Sequence, residues 1–236
     1  TKRFKMPQVV GALLAGLVLG PAMLNVLTET EFITQMAELG VIILMFTAGL
    51  ETDIKELKKT GKASFVIALI GVVVPLIGGF ALTYFFNHPT DGTPDNMVIL
   101  QNIFVGVILT ATSVSISVET LKEMGKLNTR AGNAILGAAV IDDILGIIAL
   151  TIITSLADPT VNIAMVLIKI VAFFILSLGA GYVFYRLFNK FQARYQKDMR
   201  RFVIIAFVFC LFLAYCAESF FGVADITGAY IAGVLI

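Results

Sequence analysis

The stretch whose reading decides the fold is Ala131-Gly-Asn-Ala-Ile-Leu-Gly-Ala-Ala-Val-Ile-Asp142-Asp143-Ile-Leu-Gly-Ile-Ile-Ala-Leu150. It lies in an apolar run from Ala131 to Ala157, longer than the roughly 20 residues a helix needs to cross the hydrocarbon of a bilayer. Two adjacent carboxylates sit near its middle. Each charge at the centre of a membrane helix costs about 2.5–3.5 kcal/mol. A buried lysine could offset one of them, but away from their ends the apolar segments hold a single basic residue, Lys169. The pair therefore reads as functional. Consecutive helical residues point about 100° apart, so the two acids cannot form one symmetric site. One is expected to face a cavity and the other a neighbouring helix. A carboxylate in such a place holds a proton or a cation but not both, which is the chemistry of exchange.

The rest of the chain fits a membrane setting. Of 236 residues 58% are hydrophobic and 14% charged, against about a quarter charged in soluble domains. The apolar runs are unbroken rather than alternating, so the class is all-α and polytopic, not a barrel. Eight segments are expected: A, 7–20; B, 33–50; C, 63–86; D, 97–121; E, 131–157; F, 161–188; G, 202–217; and H, from 224 on. The net charge of +1 points to no nucleic acid. Cys210 and Cys216 read as small core residues, His88 as a solvated loop residue, and Thr1 to Lys5 as no cleavable signal.

Basic residues alternate between the connections. Lys2, Arg3 and Lys5, then Lys55, Lys58, Lys59 and Lys62, then Lys122, Lys126 and Arg130, then Arg186, Lys190, Arg194, Lys197, Arg200 and Arg201 all fall on one side, expected to be the cytoplasm. The opposite connections hold Glu29, Glu31, His88, Asp91, Asp95, Asp158, Glu218 and Asp225 and no Lys or Arg. Lys169 is the exception and reads as a snorkelling or bundle-facing lysine in preference to a member of an ion path.

Segment D contains Leu109-Thr-Ala-Thr-Ser-Val-Ser-Ile-Ser117, with five hydroxylic residues among the eight from Thr110 to Ser117. Such a stretch is a weak helix. Either its hydroxyls bond back to their own helix, or it unwinds and presents oxygens of the kind hard cations prefer. The acid pair in the next segment favours unwinding. Gly16 and Gly20 form a GxxxG in A, Gly132, Ala134, Gly137, Ala138 and Ala139 line E ahead of the acids, and all are expected to let helices approach. Pro75 is expected to kink C.

The chain also repeats itself. Gly11-Ala-Leu-Leu-Ala-Gly-Leu-Val-Leu19 reads against Gly228-Ala-Tyr-Ile-Ala-Gly-Val-Leu-Ile236, with four of nine positions identical and four more aliphatic for aliphatic. H is the seventh segment after A, so the two cross in opposite senses, the pattern of inverted-repeat transporters. If H opens a second repeat, further helices are expected beyond Ile236 and one before Thr1.

Three blocks carry a family resemblance: Pro7-Gln-Val-Val-Gly-Ala-Leu-Leu-Ala-Gly-Leu-Val-Leu-Gly-Pro21, Phe46-Thr-Ala-Gly-Leu-Glu-Thr-Asp53, and Thr110-Ala-Thr-Ser113 followed by Ile141-Asp-Asp-Ile144. In order and spacing the chain resembles the second monovalent cation:proton antiporter family, and within it the NapA-type Na⁺/H⁺ antiporters. The resemblance implies an inverted-repeat fold with discontinuous helices, an elevator mechanism and a homodimer in a bacterial inner membrane, with no cofactor beyond the transported ions and protons. It implies that Asp143 binds Na⁺ or Li⁺ and the proton, with Thr112 as a further sodium ligand. Asp142 would pair with a lysine on a later helix, and Thr110, Thr112 and Ser113 would supply broken-helix oxygens. Residues 1–50 and 200–236 would be scaffold, 51–160 half of a moving core, and 161–199 a linker helix. Glu119, on the cytoplasmic side of D, stands where a neutral or basic residue is expected.

Other classes fit less well. K⁺/H⁺ exchange or K⁺ efflux is the runner-up, though such relatives tend to carry Gln-Asp where this chain has Asp142-Asp143. An aspartyl intramembrane protease needs two acids on one bond, a metalloprotease needs H-E-x-x-H, and a prenyltransferase needs several acidic motifs. A channel is disfavoured by the repeat.

Overall fold

The computed structural model describes residues 8–87, 95–157, 162–194 and 199–236. Lys2, Arg3, Lys5, Pro7, His88, Asp91, Asp158 and Lys197 lie outside the described residues. Within them the chain is helical: α1 (Gln8–Leu19), α2 (Glu31–Leu50), α3 (Ile54–Phe86), α4 (Asp95–Ile108), α5 (Val114–Glu123), α6 (Arg130–Ala157), α7 (Ile163–Arg194), α8 (Met199–Cys216) extended by a π-helical turn (Ala217–Phe221), and α9 (Asp225–Leu235). Five helices are long and apolar enough to cross a membrane: α2, α3, α6, α7 and α8 with its π turn. The apolar helices α1, α4 and α9 are shorter. Apolar side chains such as Leu14, Phe65, Ile70, Ile175 and Val203 point outward, an arrangement suited to lipid.

Two boundaries differ from the sequence reading, for one reason. The lysines expected in a B–C loop ride on the first turns of α3, and Arg186 rides on the end of α7. Asp53 caps α3, its carboxylate accepting from the Lys55 N–H at 2.7 Å, and Glu56 pairs with Lys59 one turn on. With 33 residues at 1.5 Å each, α3 is about 50 Å long. That exceeds the ~30 Å hydrocarbon, so a polar first part costs nothing in lipid. Pro75 lies inside α3, and the helix continues on both sides of it.

The helices form two packs. In the first, α3 lies against both α6 and α4. A Cβ on Gly79 would meet the Gly106 Cα at 2.8 Å, so these two glycines set the α3–α4 crossing. Gly137 admits Ser64, whose hydroxyl donates to the Ala134 carbonyl at 3.0 Å and ties α3 to α6. In the second pack, α9 lies against α2 and α8. There a Cβ on Gly49 would stand 2.3 Å from the Tyr230 carbonyl oxygen, and one on Gly233 2.3 Å from that of Phe46. The buried Met45, Cys210, Leu213 and Ala229 fill this core, and Cys216 is buried as well. Both cysteines are thus small core residues, unpaired.

Among the described residues no other helix packs on the GxxxG of α1. A Cβ on Gly16 meets nothing, and one on Gly20 would meet only the Gly16 carbonyl, because Gly20 closes a turn on its own helix. Gly132 likewise faces the Lys126 and Leu127 carbonyls of the preceding turn. The contact of α1 is instead polar: both Glu123 oxygens accept from the Gln8 N–H, at 2.8 and 3.0 Å, a carboxylate at the positive end of a helix.

The α2–α9 crossing gives a direct test. Gly49→Ala should lower the midpoint of thermal unfolding in detergent, an overpacking cost of about 1–3 kcal/mol. Gly40→Ala, where a Cβ meets nothing within 4 Å, should leave the midpoint unchanged.

Candidate ion-binding site

The site is built where segment D breaks. Helix α4 ends at Ile108, and α5 begins at Val114. Between them Leu109 and Thr110 turn, and Ala111, Thr112 and Ser113 are extended or irregular. The Thr110 and Ala111 N–H groups reach back only to Val107 and Ile108, at 3.0 and 3.4 Å. Ser113 precedes α5 without a side-chain cap. The stretch is thus unwound through Ser113, while Ser115 and Ser117 lie in α5, and its hydroxyls divide between the two readings. Thr110 is buried, and its hydroxyl donates back to the Val107 carbonyl at 2.8 Å. Thr112 reaches across to α6, where its hydroxyl donates to Asp142 Oδ2.

The acids diverge as the helical angle requires. Asp142 is 9% exposed and turned toward the break and toward α3, where a Cβ on Gly71 would lie 3.9 Å from its Oδ1. That Oδ1 is buried with no hydrogen-bond partner among the described residues. Asp143 faces the other pack, and its Oδ2 accepts from the Thr227 hydroxyl of α9 at 3.2 Å. The expected grouping of Thr112 with Asp143 is therefore not a hydrogen bond: the Thr112 hydroxyl is on Asp142, although all three residues border one cavity.

Two cavities meet at this level. One, of about 210 Å³, is lined by Thr112, Ser113 and Ser117, by Gly71 of α3, and by Ala138 and Asp142 of α6. The other, of about 380 Å³, is lined by Val107, Thr110, Ala111, Asp142, Asp143 and Gly146, with Thr112 again on its wall. Along α6 the first spans Ile135 to Asp142 and the second Asp142 to Leu150, so Asp142 and Thr112 form the partition between them. Lys169 is exposed on α7 and lines neither.

Thr227 was not singled out from sequence, yet it is 1% exposed and touches an acid. Its signal was present. In the α1/α9 repeat it stands opposite Val10, the one place where an aliphatic residue is exchanged for a hydroxyl just ahead of the shared glycine.

Irregular backbone survives inside an apolar bundle only where it lines a cavity, and a broken helix beside buried acids is an arrangement found in inverted-repeat membrane proteins that bind ions at the bilayer midplane. Comparison with known proteins gives the family. The family model described as sodium/hydrogen exchanger, transmembrane, matches residues 1–236, and the chain belongs to that family. Over 235 residues, 99% of the chain, it is 37% identical to a probable Na⁺/H⁺ antiporter, GerT, of Bacillus cereus, covering 60% of that protein. It is 38% identical over the same share to the Na⁺/H⁺-K⁺ antiporter GerN of Bacillus cereus, covering 58%. It is 34% identical over 241 aligned positions to a Na⁺/H⁺ antiporter of Enterococcus hirae, covering 60%. The chain spans about three-fifths of the length of these relatives.

The Thr112–Asp142 bond gives a second prediction. Thr112→Val leaves a buried carboxylate with neither oxygen bonded, a loss of about 1.5–3 kcal/mol for a hydrogen bond to a charged group. The thermal midpoint should fall in the valine variant and recover in Thr112→Ser.

Proposed function

We propose that this chain carries the cation- and proton-binding half of a secondary transporter that exchanges Na⁺ or Li⁺ for H⁺, the two competing for Asp143. The observation that carries the reading is Asp143 on the wall of the cavity opened by the α4–α5 break. A desolvated carboxylate facing backbone and hydroxyl oxygens is a site for a hard monovalent cation. The cation would sit against Asp143 with oxygens of the Thr110–Thr112 segment completing its shell. A proton arriving at Asp143 removes the charge that held the cation, and the cation leaves. Asp142, with its free Oδ1, would take its counter-charge from a lysine on a later helix.

The division into two packs supports transport by an elevator. Helices α3 to α6, within residues 51–160, would carry the site. Residues 1–50 and 200–236 would form the scaffold and the homodimer contact, and 161–199 the linker between repeats. The recurrence of the Gly11–Leu19 pattern at Gly228–Ile236 supports an inverted repeat. The basic connections would face the cytoplasm of a bacterial inner membrane. A second reading, K⁺ among the transported cations, is favoured by the 38% identity to a relative described as a Na⁺/H⁺-K⁺ antiporter.

The test is the full-length protein in liposomes under an imposed pH gradient, read with a pH-sensitive dye. Added Na⁺ or Li⁺ should collapse the gradient with the wild type, and Asp143→Asn should reduce the rate to that of empty liposomes. If K⁺ alone works, the second reading replaces the first. If no cation moves protons between about pH 6 and 9, a range in which perturbed carboxylates titrate, exchange is the wrong reaction.

A further inference from the structure

We propose that the Thr227 hydroxyl holds the unloaded carrier in place, so that the site-bearing helices move past α9 only when Asp143 carries a cargo. The inference rests on the exchange reading above and adds to it a residue that prevents leakage.

The argument begins with where the contact lies. Asp143 belongs to α6, which packs with α3 and α4, and Thr227 belongs to α9, which packs with α2 and α8. Their hydrogen bond at 3.2 Å therefore joins the two packs, and α6 and α9 make few other close backbone approaches. Beside it lies an apolar cavity of about 340 Å³ lined by Gly137, Val140 and Ile141 of α6 and by Tyr230, Ile231 and Val234 of α9, and the other contacts between the packs are apolar side chains such as Val118 and Leu136 against Met45 and Leu213. An apolar gap offers little resistance to sliding, because its contacts are non-directional. A hydrogen bond to a carboxylate is directional and must be broken to slide.

The second step concerns what the carboxylate carries. A hydroxyl donating to an ionised carboxylate makes a charge-assisted bond, roughly twice as strong as a neutral one. When a proton or a cation occupies Asp143, its charge is neutralised and that bond weakens. The unloaded state is held and the loaded states are released. Other groups do not blur this dependence. On the wall of the cavity of about 380 Å³, Asp142 is the only titratable residue besides Asp143 among the described residues. On α9, the Asp225 carboxylate accepts from the Ile226 N–H, and the Tyr230 hydroxyl donates to Thr52 in the turn between α2 and α3. Lys169 of α7 is exposed. An exchanger whose empty form crosses freely becomes a proton leak, so a device that selectively holds the empty form enforces one-for-one exchange.

Thr227→Val keeps the side-chain shape and removes the donor. In full-length protein reconstituted with a pH gradient and only a large organic cation present, the wild type should hold the gradient. Thr227→Val should dissipate it about ten- to a hundredfold faster, the factor that one hydrogen bond to a charged group represents. Thr227→Ser should hold it as the wild type does. The leak should vanish in Thr227→Val/Asp143→Asn, since it passes through the carrier site. If the valine does not pack, Thr227→Ala is read in the same assay. A gradient held by every hydroxyl-free variant overturns the proposal, and so does a leak that persists without Asp143. A wild type that exchanges no cation sinks the exchange reading and the latch together. A wild type that exchanges, with a tight Thr227→Val, sinks the latch alone.

Discussion

The constraint on which this structure turns is the cost of keeping two carboxylates inside hydrocarbon. Among the described residues neither acid has a basic partner, and what meets them there is dipoles and space. Asp142 receives the hydroxyl of Thr112, which the α4–α5 break carries toward it, and Asp143 receives that of Thr227. The break exposes backbone that lipid could not satisfy, and the cavities on its two sides give that backbone somewhere to face. The small residues Gly71 and Ala138 keep one of those cavities open beside Asp142. Removing the acids would leave the hydroxyls, the break and the cavities without a purpose.

Much of this was legible in the sequence because membrane insertion leaves few alternatives. Unbroken apolar runs can only be helices, and two acids in the middle of one announce themselves. The break was legible too, since five hydroxylic residues in eight make a poor helix. Pairing was not legible. Which hydroxyl meets which acid depends on the rotation of α6 against α9 and on the exact path of residues 109–113, neither of which leaves a periodic trace. Hence the pairing of Thr112 with Asp142 and of Thr227 with Asp143 leaves no mark in the sequence. The GxxxG of α1 is ambiguous for a related reason: small residues at a spacing of four allow a close helix contact but equally serve a helix end, and Gly20 ends one. The charged connections misled by length, because a hydrophobicity boundary marks where lipid stops and not where a helix stops.

The two packs are held by different kinds of contact. Inside each, glycines bring backbones together: Gly79 with Gly106 in one, Gly49 with Gly233 in the other. Such interfaces are rigid, since any side chain added there collides with main chain. Between the packs side chains rather than glycine backbones meet: Val114 and Val118 of α5 and Leu136 of α6 share one buried apolar cluster with Met45 of α2 and Leu213 of α8, beside an apolar cavity and one threonine on an acid. Rigid bodies joined by few directional contacts are the physical setting for relative motion.

The π-helical turn at Ala217–Phe221 sets how α9 is presented. Its i→i+5 spacing takes in one residue more than an α-helical turn. The chain then closes on Gly222 at φ +66°, a left-handed conformation that suits glycine, with the Val223 N–H returned to the Ala217 carbonyl at 2.9 Å. Lineages should therefore be free to exchange the exposed Glu218, Ser219 and Phe220 for other residues, yet not to lengthen or shorten this corner. One residue lost or gained there would turn α9 by about 100° and swing its polar and glycine faces out of register together. Drift at this corner is confined to spelling, never to word length.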